Sequence, residues 1–154
     1  MTLPDGTDLL TGKNTTAKEA ARILEAKNIG FRVPTALQRQ DLLVAHAKKG
    51  KAVYGKAFDI MKVEGDIDHV LSNIDAHIDN ITLCEIKSTN RDLDKSFSGY
   101  FFALTTAELL VAQSLGKRYK FVFVNTKKKT YEEMDLTQIF AKAKGIYPTW
   151  SIRF

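Results

Sequence analysis

The chain has 154 residues, with 23 Lys and Arg against 18 Asp and Glu for a net charge of +5, and 44% of it is apolar. That length supports one domain burying about 70% of its extended surface. With only 3 Pro and 9 Gly, the composition excludes a disordered or fibrous chain. The single cysteine, Cys84, excludes an internal disulfide and a paired-cysteine zinc site, so a reducing compartment, the cytoplasm, is expected.

Charge is unevenly spread. Residues 1–60 carry 10 basic and 6 acidic side chains, residues 61–94 carry 3 and 8, and residues 95–154 carry 10 and 4. An acidic middle between basic flanks suits a site that holds a cation while gripping a polyanion.

Residues 1–13 include Pro4, Asp5 and Asp8 and lack the apolar run of a signal peptide. Thr16 with Glu19 reads as a capping box opening a helix through Ile23, Leu24 and Lys27, with Gly30 placed to end it. A second helix is predicted to follow Thr35 and stop at Gly50. Short, β-branched and partly alternating segments at 57–63, 66–71 and 81–87 then read as three strands, with Glu64 and Gly65 turning between the first two.

Aromatic residues 97–104 either extend the sheet or cover it. Thr105 and Glu108 form another capping box, opening a short core helix that Gly116 ends. Its apolar run, interrupted by Thr105, Thr106, Glu108, Gln113 and Ser114, is too short to span a membrane. Residues 119–125 read as an interior strand, Lys127, Lys128 and Lys129 as a turn, 135–145 as a helix and 146–154 as a final strand. The predicted order is α, α, β, β, β, α, β, α, β within a single domain. It divides into a helical part (1–50), a core with the site (51–125), and a C-terminal helix and strand (126–154).

The chemically informative residues are Asp66 and Asp68, followed by Glu85 and Lys87. Alternation puts Asp66 with Asp68, and Glu85 with Lys87, on one face of their strands. If those strands pair, three carboxylates and an ammonium converge. Gathered carboxylates favour a hard divalent cation, Mg²⁺ first, and a neighbouring lysine can orient water or offset charge on a phosphate.

Other residues read more plainly. Glu108 caps its helix, Gln113 faces solvent, Cys84 is a small core residue, and His69 and His77 are too few for a zinc site. The two N-terminal helices read as cover for the core. Lys117, Arg118, Lys120, Lys127, Lys128 and Lys129 are candidate contacts to backbone phosphates.

On Gly65-Asp66-Ile67-Asp68 and Glu85-Ile86-Lys87, over about residues 35–125, the chain resembles the PD-(D/E)XK nuclease superfamily. The resemblance implies an α/β, restriction-endonuclease-like αβββαβ core, a mixed central sheet flanked by helices. Its second strand supplies an aspartate and its third a Glu-x-Lys. Asp68 and Glu85, with Asp66, would hold Mg²⁺ (Mn²⁺ able to substitute), and Lys87 would position the attacking water. Asp59 competes with Asp68 for the aspartate role. Gln40 and Asp41 are weak candidates for the acidic group that some relatives supply from the first core helix. The implied activity is phosphodiester hydrolysis of DNA, by an endonuclease working as a homodimer if both strands are cut. The alternative is a non-catalytic nucleic-acid-binding or assembly module on the same fold.

Overall fold

A computed structural model describes residues 6–154, with backbone only for residues 6–15. The expectation that the chain opens without a leader bears in part on residues 1–5, which lie outside the described residues. The elements are α1 (Gly6–Ala26), β1 (Phe31–Arg32), α2 (Ala36–Lys48), β2 (Ile60–Val63), α3 (Ile67–Ser72), β3 (Ile81–Thr89), α4 (Thr106–Leu115), β4 (Tyr119–Asn125), β5 (Thr130–Met134) and α5 (Leu136–Lys142).

The strands form one mixed sheet in the order β1-β2-β3-β4-β5. Strands β2 and β3 pair antiparallel, whereas β3 and β4 run parallel with α4 as the crossover, as parallel neighbours require. One face packs Met61, Leu83, Tyr119, Phe121 and Phe123 under α2, α4 and α5; the other packs Ile60, Cys84, Val122 and Val124 under α1. Covered on both faces, β4 is almost continuously buried.

Local chemistry explains most element ends. Thr35 with Gln38, Thr105 with Glu108, and Asp135 with Gln138 each close a reciprocal capping box, at α2, α4 and α5. Gly30 has φ of +105°, and a Cβ there would sit 2.4 Å from the Val63 carbonyl oxygen. Only glycine lets the end of α1 pass this close to β2. Among the described residues, no helix is long and apolar enough to cross a membrane.

Three expectations are corrected, and a strand that was not expected appears. Residues 66–71 are helical: Gly65 turns at φ +86°, the Asp66 side chain accepts from the His69 amide, and Ile67, Val70, Leu71 and Ile74 recur at helical spacing. Helix α1 begins upstream of Thr16, which is therefore interior rather than a cap. An unpredicted strand, β5, follows the lysine turn, where Asn125 Oδ1 accepts the amides of Lys127 and Lys128. Residues 146–154 form no strand, so the expected final strand is absent from the sheet.

Candidate functional site

Asp59 comes just before the first pair of the antiparallel β2–β3 ladder, Ile60 with Cys84, and its side chain interacts directly with the Glu85 carboxyl. Its amide donates to the Cys84 carbonyl at 2.9 Å, and its Oδ2 accepts the Ile86 amide at 2.9 Å. The segment leading to it is pinned twice. Arg39 of α2 donates to the carbonyls of Gly55 and Phe58 and stacks its guanidinium on the Phe58 ring, and the Tyr119 hydroxyl donates to the Ala57 carbonyl.

Like charges directly opposite on a sheet repel. Burial, then the charges of Asp59 and Glu108, push the Glu85 carboxyl up to about 9, with the Lys87 ammonium pulling the other way. The Glu85 side chain is only 13% exposed, and its Oε2 is buried with no hydrogen-bond partner. Lys87, on the same face, lies 3.9 Å from Glu85 Oε1 but 2.6 Å from Glu108 Oε1. Glu108 is in turn held by the Thr105 hydroxyl at 2.8 Å. The carboxylate expected only to cap α4 therefore also anchors the lysine. Burial likewise lifts the nearby Tyr119 phenol above its usual range, the charges of Glu85, Glu108 and Asp59 adding to it.

The structure thus brings together Glu85 and Lys87, two of the residues singled out from sequence, with Asp59 as the facing aspartate. Asp66 and Asp68 do not join them. Both are exposed, Asp66 just before α3 and Asp68 within it, past the Val63–Ile81 end of the ladder, and Glu85 lies four residues further along β3, about 13 Å of strand away. Asp66 is occupied as a helix cap. Gln40 and Asp41 are exposed on α2, which contributes Arg39 instead.

The six predicted phosphate contacts fall into two groups separated by β4, about 20 Å long. Lys117 and Arg118 precede the strand and Lys127, Lys128 and Lys129 follow it, with Lys128 paired to Asp92 at 2.8 Å. Lys120 alternates with Val122 and Val124 onto the face that α1 covers, away from Glu85. Cys84 is fully buried on that same face, its thiol pushed up by burial. The His69 and His77 rings lie 4.7 Å apart, and Gln113 is exposed.

Among the described residues, no group of three or more His, Cys, Asp or Glu side chains is arranged to enclose a metal. Two facing carboxylates, one with an unpartnered buried oxygen, nonetheless match the donor set Mg²⁺ commonly takes from protein, because its remaining ligands are usually waters and substrate phosphate oxygens. Asp59 and Glu85 are therefore the pair that fits such an ion. No protein-family model, curated protein or solved structure matches the chain.

Proposed function

We propose that the chain is a divalent-metal-dependent nuclease hydrolysing DNA phosphodiester bonds, an endonuclease on a PD-(D/E)XK-like core. The observation that carries this reading is the Asp59 side chain, just before β2, meeting Glu85 of β3, with Lys87 two residues along the same face. The order of the β2–β3 hairpin, the α4 crossover and parallel β4 is also the order the resemblance implies.

Mg²⁺ or Mn²⁺ held by Asp59 and Glu85 would supply Lewis-acid polarisation of a phosphate and a more acidic bound water. The chain's own residues do the rest. Both carboxylates would have to be ionised to hold the ion, so Glu85 would release its proton when it binds. Lys87, anchored by Glu108, stands beside Glu85, where its N–H donors would orient a water or balance charge on a phosphate oxygen. In hydrolysis the water oxygen bonds to phosphorus, the phosphorus bond to the sugar oxygen breaks, and that oxygen leaves protonated. One such site cuts one strand, so a double-strand cut needs two copies. The free thiol of Cys84 accords with a cytoplasmic setting.

The test incubates supercoiled plasmid and a single-stranded oligonucleotide with Mg²⁺, Mn²⁺ or EDTA. Cleavage is expected with either metal and not in EDTA, falling at least about 100-fold in Asp59→Asn, Glu85→Gln and Lys87→Ala. No cleavage with any metal overturns the proposal, and binding that persists in EDTA would then favour the non-catalytic module.

A further inference from the structure

The loop between β3 and α4 crosses the face that carries Lys87. Tyr100 and Phe102 turn inward there, with ring centroids 6.0 and 4.9 Å from Phe123, the register partner of Lys87. Phe101, between them, turns outward and is 76% exposed. Tyr147, from the C-terminal segment and equally exposed, brings its ring to 6.4 Å from that of Phe101. Trp150 follows, 89% exposed. The Lys142 ammonium donates to the Ser96 carbonyl, tying α5 to this loop. Residues 136–154 carry three cations, Lys142, Lys144 and Arg153, and no acidic side chain.

We infer that Phe101 and Tyr147, with Trp150 three residues further along the same segment, offer stacking surfaces for unpaired bases, so that the substrate of the neighbouring site is single-stranded nucleic acid. The inference deepens the nuclease reading and rests on it for the cleavage step alone. Exposed rings in a C-terminal segment whose charged side chains are all cations match a strand that offers π-faces and phosphates together. A duplex hides its base faces within the stack and leaves such rings without a partner. A duplex is also stiff over about 150 base pairs, whereas an unpaired strand can bend a phosphate down to side chains as recessed as Glu85 and Lys87, 13% and 14% exposed.

The test measures fluorescence anisotropy of a labelled 20-nucleotide oligothymidylate, and of its duplex with oligoadenylate, in EDTA so that nothing is cut. Single strand should bind at least about 10-fold more tightly than duplex. Phe101→Ala with Tyr147→Ala should weaken single-strand binding by about 10-fold or more while thermal unfolding and duplex binding stay unchanged, and Phe101→Trp should retain it. Equal affinity for duplex, or unchanged binding by the double variant, overturns the inference. So does a dimer that the double variant abolishes in a chain that binds no oligonucleotide, since the patch would then be a self-association surface. Ring-dependent single-strand binding without cleavage in any metal would leave the platform standing and sink only the hydrolase reading.

Discussion

Replacing Glu85 by glutamine removes a carboxyl that the folded chain keeps protonated near neutral pH, and the consequence is a change in how stability depends on pH. The folded midpoint is about 9, against an ordinary 4.5. The folded state therefore holds a proton that the unfolded state releases. Stability from this group is complete below the unfolded midpoint and declines by about 1.4 kcal/mol per pH unit as pH rises toward the folded one.

Between pH 7 and 8.5 that amounts to about 2 kcal/mol, or about 5 °C in melting temperature for a chain of this size. The window lies above the titration of His46, which burial holds below the usual histidine range. Glutamine keeps the shape without the ionisation. Urea denaturation followed by circular dichroism in EDTA should show the wild type losing about 2 kcal/mol relative to Glu85→Gln across this window. Parallel pH dependences in the two proteins would mean that Glu85 is not the group holding the proton. Mg²⁺ at ten times its Kd should restore about 1.4 kcal/mol to the wild type at pH 8.5, and nothing to the variant.

Three further outcomes are expected. Lys87→Met strands the Glu108 carboxylate, 5% exposed, and should cost about 3 kcal/mol in chemical denaturation, much of it recovered by adding Glu108→Leu; a double variant no more stable than the single would count against the ion pair. Asp59→Asn should abolish the Mg²⁺-dependent rise in melting temperature and Asp68→Asn should leave it intact, with the reverse pattern assigning the ion to α3. Gly30→Ala, at φ +105° and 2.4 Å from the Val63 oxygen, should cost at least about 2 kcal/mol, and a neutral effect would mean that the end of α1 moves away freely.

Much of the scaffold was legible because its signals are local. The capping residues Thr35 and Thr105, the stop at Gly116 and the apolar run of β4 each report on their own few neighbours. Residues 66–71 misled for the same reason: Asp66-Ile67-Asp68 alternates like a strand over three residues, and the helical recurrence of Ile67, Val70, Leu71 and Ile74 shows only over eight. Strand β1 is two residues long and too short to carry a pattern.

At the site, Glu85 and Lys87 were readable from a single strand. The identity of the facing aspartate depends on register across the hairpin, and no local pattern fixes register between strands 17 residues apart. The Glu108–Lys87 contact joins a helix to a strand and had no sequence signal beyond the capping box that it also serves.

Crystals grown with Mn²⁺ and measured for anomalous scattering locate the ion itself. One strong peak is expected, shared by the Asp59 and Glu85 carboxylates and lost in Asp59→Asn. Manganese bound instead beside Asp66 and Asp68, with the β2–β3 pair empty, would contradict that placement.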